Sequence, residues 1–296
     1  MTMRTDTVLF VSPQGFHRMH YTDWGDRENP HVVVCVHGLT RNCRDFDGLA
    51  QALQSDFRVV CPDIVGRGHS DWLEEKQGYG YQQYASDVTA LLARVTAGPA
   101  ATKTIYWVGT SMGGILGMLV ASYPRSPLAR LVVNDVGILI PKAALARITA
   151  YLGKSPLFDS IEEMEAMVRL ISAPFGPLTD QQWRHLTVHG AKQHGNGKWG
   201  MSYDPGIAVP FERAAASDID LSRYWEAITC PTLLLRGEQS DVLPRETALQ
   251  MTQSGPRPKL VEFPGIGQAP MLMAADLIAA VRDFLLADGA ARLRAP

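Results

Sequence analysis

The sequence predicts an α/β fold in which a mostly parallel central sheet is flanked by helices. Short β-branched runs alternate along the chain with longer segments of helical periodicity, and glycine-containing turns separate them. Residues 31–36 are almost continuously apolar rather than alternating, as expected for a strand that is buried on both faces. This combination is typical of parallel strands connected by crossover helices.

The predicted elements alternate regularly in two parts of the chain. Strands are predicted at 31–36, 57–61, 104–108, 131–135, 232–235 and 259–263, and helices at 45–53, 81–95, 112–123, 245–253 and 271–286. From about Ile138 to Ser217 the alternation stops, and helical stretches such as 161–171 mix with loops rich in Gly, Pro, His and Trp. We interpret this segment as a cap inserted into one domain. The predicted division is a first core part at 1–137, a helical cap at 138–218 and a second core part at 219–296.

Composition limits the class of protein and its partners. The chain has 296 residues, 46% of them hydrophobic and 20% charged, which indicates a folded globular protein. The formal net charge is -2 and no basic stripe is present, so a nucleic-acid partner is not expected. No apolar stretch reaches the roughly 20 residues of a membrane span, and the start lacks the pattern of a secretory signal. We therefore expect a cytoplasmic protein with no membrane partner.

Residues 109–113 read G-T-S-M-G, which matches the G-x-S-x-G turn that exposes a nucleophilic serine between a strand and a helix. An apolar strand precedes this motif and a predicted helix follows it, as the chemistry requires. Ser111 is therefore the predicted nucleophile. The backbone N–H groups of Met112 and Leu39 are the predicted donors to an oxyanion, since Leu39 lies in the turn directly after a central strand.

The acid and the base of a catalytic triad should follow the serine along the chain, each on a turn after a strand. Asp241, which follows the strand at 232–235, is the favoured acid, and Asp135 remains as an alternative. A histidine is expected in the loop after the last strand, but Gln268 occupies that position and no histidine follows His194. An amide cannot accept a proton near neutral pH, so Gln268 could hold the geometry of a histidine without its chemistry.

Several segments together resemble the α/β-hydrolase superfamily, and within it the cofactor-free bacterial esterase-like members. They are residues 36–39, 62–70, 109–113, 134–137, 236–241 and 263–272, so the resemblance covers essentially the whole chain. It implies an α/β-hydrolase fold with a cap, and a serine hydrolase of the carboxylesterase type that acts through an acyl-enzyme. In that family the position of Gln268 is the catalytic histidine, within a Gly-His-Ala-Pro type sequence.

Three explanations of Gln268 stay open. The first is a histidine-to-glutamine replacement that inactivates an otherwise normal esterase. The second is a ligand-binding pseudo-hydrolase without turnover, and the third is a different base, such as His37, His69 or a histidine of the cap. A serine nucleophile is also compatible with hydrolysis of an amide, lactone, thioester or carbon–carbon bond.

The predicted substrate contacts come mainly from the cap. Trp183, Trp199 and Tyr203 are candidates for the lid of the pocket, and His37 either shapes its turn or contacts the substrate. The cap histidines lack the carboxylate or thiolate of a recognisable metal pattern, so neither a metal nor a cofactor is expected. The expected partner is a small-molecule ester, and a homodimer is left open.

Overall fold

A computed structural model describes residues 3–97 and 103–287. In this part of the chain the strands are β1 (Arg4–Ser12), β2 (Gly15–Trp24), β3 (His31–Val36), β4 (Arg58–Pro62), β5 (Thr104–Thr110), β6 (Leu128–Asn134), β7 (Leu139–Ile140), β8 (Ala191–Gln193), β9 (Trp199–Met201), β10 (Ile219–Asp220), β11 (Thr232–Gly237) and β12 (Lys259–Phe263). The helices are α1 (Asp47–Leu53), α2 (Tyr81–Thr96), α3 (Met112–Ser122), α4 (Lys142–Thr149), α5 (Ile161–Ile171), α6 (Asp180–Gly190), α7 (Ala208–Ala214), α8 (Ser222–Glu226), α9 (Arg245–Gln253) and α10 (Ala275–Leu286). None of these helices is long and apolar enough to cross a bilayer. Residues 288–296, the end of the predicted second core part, lie outside the described residues.

Eight strands form the central sheet in the order β1-β2-β4-β3-β5-β6-β11-β12. All neighbours from β4 to β12 in this order are parallel, whereas β1 pairs with β2 and β2 pairs with β4 antiparallel. Parallel neighbours need crossover connections, which the helices between the strands supply. The predicted α/β-hydrolase fold with a mostly parallel sheet is confirmed.

The core lies on both faces of the sheet. Val32, Val34 and Val36 pack on the face that α2 and α3 cover, while Val33 and Cys35 pack on the face that α1 and α10 cover. Successive side chains of a strand point to opposite faces. The continuous apolar run of β3 therefore reflects burial on both sides.

The edge hairpin formed by β1 and β2 was not predicted. In β1, half-buried and exposed residues alternate over most of the strand, because one face of this edge is solvated. The polar residues of β1 interrupt the continuous apolar run by which the central strands are recognised. Within β1 the sequence therefore shows only the short apolar run Val8–Val11.

The segment between β6 and β11 is inserted after the carboxyl end of β6, between two neighbouring strands of the parallel sheet. Its two ends are joined by an antiparallel pair in which Ile140 lies opposite Ile219. Between them lie α4 to α7 and the β8–β9 hairpin, and part of the segment has its own apolar cluster around Met164, Val168 and Trp183. The boundaries 138–218 of the cap stay a prediction.

The turn from β5 to α3 requires glycine at two positions. A Cβ atom on Gly113 would collide with the carbonyl oxygen of Val36 at the end of β3, and one on Gly109 would collide with the carbonyl oxygen of Gly113. Backbone atoms cannot move aside as the end of a flexible side chain can. The glycines therefore allow α3 to begin directly against the ends of β3 and β5.

We expect Gly113→Ala to lower the free energy of unfolding by about 3 kcal/mol, because overpacking against backbone costs about 1–3 kcal/mol or more. Gly195→Ala is the matched control, since a Cβ atom there has no neighbour within 4 Å. Urea denaturation of both variants measures the difference. Equal stability of the two variants would contradict the packing argument.

Candidate active site

Ser111 lies at the sharp turn between β5 and α3, as the motif predicts. Its backbone has φ 51° and ψ -113°, a region that residues other than glycine rarely adopt. The N–H of Ser111 donates to the carbonyl oxygen of Asn134 at 2.8 Å, which ties this turn to the end of β6. Such strained positions persist where the surrounding structure fixes them, and they concentrate at functional sites.

The side chain of Gln268 lies between Ser111 and Asp135. With its NH₂ group facing the carboxylate, the amide donates to Asp135 Oδ2 at 2.5 Å and to the Asp135 carbonyl oxygen at 2.9 Å. Its oxygen then accepts from Ser111 Oγ at 2.9 Å. This orientation satisfies both neighbours, because a carboxylate can only accept. Gln268 thus lies beside the serine, and its assignment to the position of a catalytic histidine stays a prediction.

The acid beside Gln268 is Asp135, the alternative, and not the favoured Asp241. The Asp241 carboxylate instead accepts from Nε and Nη2 of Arg147, at 2.6 and 2.8 Å, and its side chain is 44% exposed. β6 and β11 are parallel neighbours, so the turns after both strands reach the same edge of the sheet. Chain order therefore cannot distinguish the two aspartates. The structure distinguishes them, because Arg147 of α4 binds Asp241 and not Asp135.

Asp135 is fully buried in a left-handed turn with φ 59°. Burial raises the pKa of its carboxyl group to about 7, against the lowering influence of the Gly237 N–H, Ser240 and Arg236. The Gly237 N–H donates to Asp135 Oδ1 at 2.9 Å. The carboxyl group is thus held in place by backbone while its ionised form is disfavoured.

Leu39 and Met112 lie where oxyanion donors are expected. Both residues line the cavity at Ser111, and Met112 is the first residue of α3, whose N–H has no partner within the helix. Arg67 lies behind them: its Nε donates to the Leu39 carbonyl oxygen at 2.9 Å, and its Nη2 lies 3.6 Å from Met112 Sδ. Arg67 is buried and forms no ion pair with the described residues. The motif at 62–70 contained this arginine, but its position under the oxyanion turn could not be read from the sequence.

His37 is buried and structural, and does not contact a substrate cavity. Its Nδ1 donates to the Gly38 carbonyl oxygen at 2.7 Å, and its Nε2 accepts from the Ile64 N–H at 3.0 Å. Burial lowers the pKa of the ring to about 4, so the imidazole stays neutral and both nitrogens are occupied. All eight histidines are among the described residues, and none lines either cavity at Ser111. The geometry therefore offers no replacement base.

Two cavities meet at Ser111 and Leu39. The larger, about 230 Å³, has no charged residue in its walls, which include Tyr79, Tyr84 and Phe211. The smaller, about 90 Å³, has a partly apolar wall that also contains the charged and polar side chains of Arg41, Asp45, Arg147, Tyr151 and Gln268, and we call it the polar cavity. The serine thus lies between an apolar cavity and a cavity whose wall contains charged side chains.

The predicted substrate contacts of the cap do not line these two cavities. Trp183 stacks on Phe175, with ring centroids 6.4 Å apart, and Trp199 packs into the same apolar cluster. Tyr203 is buried, and its backbone bridges to Arg67. These large side chains pack the inserted segment internally and against the core. The sequence did not indicate that smaller aliphatic and tyrosine side chains form the cavity walls.

Two histidines of the inserted segment, His185 and His189, lie near a carboxylate that is remote from them in sequence. Ligand atoms of His185, His189 and Asp47 lie within 4.8 Å of one another. However, the Arg44 guanidinium bonds Asp47 at 2.6 Å and lies 3.2 Å from His189 Nδ1. The Arg44 guanidinium thus already provides the positive charge that a metal ion would bring to this cluster.

Asp135→Asn should change how stability depends on pH. The folded pKa of about 7 exceeds the ordinary 3.8, so the folded state retains a proton that the unfolded chain releases. The stabilising effect of this retained proton is complete below about pH 3.8 and is lost as the pH rises through 7. We expect the stability of the Asn variant, relative to the parent, to rise by up to about 1.4 kcal/mol per pH unit over this range. Denaturant titrations at several pH values measure this difference, and parallel profiles would refute it.

Similar proteins agree with this fold. Residues 33–281 match the alpha/beta hydrolase family. A 3-hydroxybutyrate-oligomer hydrolase from Cupriavidus necator is 45% identical over 289 residues, which cover 95% of this chain and 97% of that protein. A bifunctional esterase/perhydrolase from Acinetobacter calcoaceticus is 27% identical over 83% of this chain and 87% of that protein.

Comparison with solved structures also indicates an α/β-hydrolase fold. The structure of a protein from Rickettsia typhi superposes with a TM-score of 0.87 at 30% identity, covering 96% of this chain and 99% of that one. An α/β hydrolase from Novosphingobium aromaticivorans superposes with a TM-score of 0.83 at 35% identity, covering 95% and 98%. These matches extend over nearly the whole length of both partners. The chain therefore belongs to the α/β hydrolase family.

Proposed function

We propose that this protein is built as a carboxylic-ester hydrolase that acts through a serine acyl-enzyme, and that Gln268 limits its turnover. The observation that carries this proposal is the hydrogen-bonded chain from Ser111 Oγ through the Gln268 side chain to buried Asp135. This order of serine, middle group and carboxylate is that of a catalytic triad. The similarity to relatives that are hydrolases supports the same reaction class.

The mechanism requires a base at position 268. In the form with histidine there, the imidazole takes the Ser111 proton while Oγ attacks the ester carbonyl, and Asp135 orients the ring and stabilises its charged form. The N–H groups of Leu39 and Met112 stabilise the oxyanion. The imidazole then protonates the departing alcohol. In the second step water attacks the acyl-enzyme and releases the acid.

Gln268 preserves the geometry of this chain of groups but not its chemistry. Its NH₂ group can donate to Asp135 and its oxygen can accept from Ser111, so no buried polar atom loses its partner. The amide oxygen cannot carry the serine proton. The chain as it stands should therefore bind an ester much better than it hydrolyses it.

The substrate class that we propose is short esters of hydroxy acids, of which 3-hydroxybutyrate oligomers are the representative. The similarity to the Cupriavidus necator hydrolase suggests this class. A hydroxy-acid ester has methyl-bearing carbon segments and oxygen-rich ends. The apolar and polar cavities on either side of Ser111 suit these two kinds of group.

The first test is hydrolysis of the linear 3-hydroxybutyrate dimer and of p-nitrophenyl esters by the parent and by Gln268→His. We expect the histidine variant to raise kcat/KM by at least about 1,000-fold, since loss of a triad member commonly costs that much or more. Adding Ser111→Ala should abolish the gain. A histidine variant that remains inactive on every ester would overturn the proposal.

A second test identifies the acid. In the Gln268→His background, Asp135→Asn should lower kcat by several powers of ten, because the imidazole loses its orienting carboxylate. Asp241→Asn is the matched control and should not cause a comparable loss of kcat on neutral p-nitrophenyl esters. The reverse ranking would show that Asp241 is the acid.

The second candidate function is ligand binding without turnover. The satisfied hydrogen bonds of Gln268 favour it, because the pocket is intact with glutamine in place. It predicts tight ligand binding by the parent and no ester hydrolysis by the histidine variant.

A further inference from the structure

The polar cavity has two cationic side chains in its wall, and they differ in accessibility. Arg41 donates through Nε and Nη2 to Asp45 and through Nη2 to the Leu186 carbonyl oxygen, and its side chain is only 10% exposed. The Arg147 side chain is 40% exposed. Arg147 is therefore the cation that a ligand in this cavity can reach.

Asp241 holds Arg147 without entering the cavity. It bonds Nε and Nη2 of Arg147, which are two of the three guanidinium nitrogens, yet it is absent from the walls of both cavities at Ser111. Tyr151 is a further side-chain hydrogen-bond partner of Arg147 and does line the polar cavity. A guanidinium has five N–H donors, so the bonds to Asp241 and Tyr151 leave donors for another acceptor. The ion pair thus fixes the orientation of an arginine at the edge of the site.

We propose that Arg147 binds a free carboxylate of the substrate, so that the site prefers esters whose alcohol part is itself a hydroxy acid. This inference rests on the proposed function and specifies which end of the substrate enters which cavity. Arginine suits the role because its planar fork matches a carboxylate. Buried Arg67, which contacts Leu39 from behind and has no carboxylate partner among the described residues, offsets the added negative charge.

The small polar cavity also determines which bond would be cut. Ser111 and Arg147 line the same volume of about 90 Å³, so only a short unit fits between the reacting carbonyl and the anchored carboxylate. Attack forms the bond from Ser111 Oγ to the carbonyl carbon, and the bond from that carbon to the terminal hydroxy acid breaks. In the form with histidine at 268, the imidazole takes the serine proton and gives it to the departing oxygen. One hydroxy acid would thus leave from the carboxylate end in each cycle.

The first experiment measures binding to the parent chain, in which Gln268 suppresses turnover. Isothermal titration calorimetry compares the linear 3-hydroxybutyrate dimer with its methyl ester, which lacks only the free carboxylate. We expect the acid to bind about 10- to 100-fold more tightly, as for a charge-assisted hydrogen bond. Arg147→Gln should remove this preference and leave binding of the methyl ester unchanged. Equal binding of both ligands by the parent would overturn the proposal.

Two further variants keep the test decisive. Arg213→Gln removes an exposed arginine of the same inserted segment and should retain the full preference for the acid. Arg147→Lys keeps the positive charge without the fork, and it should retain part of the preference even if Arg147→Gln does not fold. A lysine variant that binds acid and methyl ester equally, with a parent-like melting temperature, would contradict the anchor. Loss of the preference in Arg213→Gln would also contradict it.

Turnover separates this inference from the proposed function. If Gln268→His hydrolyses neutral esters but Arg147 has no influence on acid binding, the anchor is wrong and the hydrolase stands. If the parent binds the acid through Arg147 but Gln268→His hydrolyses nothing, the anchor stands and the hydrolase is wrong.

Discussion

The close approach of α3 to the ends of β3 and β5 is the constraint on which the site depends. Gly113 packs directly against the Val36 carbonyl group, and this contact holds Ser111 at a turn with positive φ. The turn that contains Leu39 continues from Val36, so the same contact brings this turn next to the serine turn. The Asn134 side chain donates to the Pro270 carbonyl oxygen at 2.9 Å, close to Gln268 in the chain. Close contacts to backbone carbonyl groups thus hold three loops of the site.

Glutamine is well suited to replace histidine in this setting, for a physical reason. Asp135 is buried, and a nonpolar residue at 268 would remove the donor to Asp135 Oδ2 and the acceptor for the serine hydroxyl. Unsatisfied buried groups cost about 1–3 kcal/mol each. An amide has a donor and an acceptor at its two ends, so it satisfies both groups. Under the proposed function, histidine and glutamine at 268 would therefore differ far more in proton transfer than in their effect on the fold.

The sequence predicted the central architecture well because it depends on local patterns. β3, β12, α5 and α9 have the predicted bounds, since strongly periodic or continuously apolar runs define them. The serine turn and the position of Gln268 were recognised for the same reason. The choice between Asp135 and Asp241 depended on side-chain partners from other elements. The walls of the cavities likewise combine residues from the core and the inserted segment, which no local pattern connects.

Arg67 shows how the fold is adapted to charge that appears only during a reaction. A buried guanidinium that has no carboxylate partner among the described residues is costly to fold, even when carbonyl groups and Tyr84 accept its hydrogen bonds. Its positive potential is present before any substrate arrives, directly behind the turn that contains Leu39. Under the proposed function, negative charge that develops near Leu39 would recover part of this cost. The electrostatic optimum of such a site would lie at the transition state and not in the resting protein.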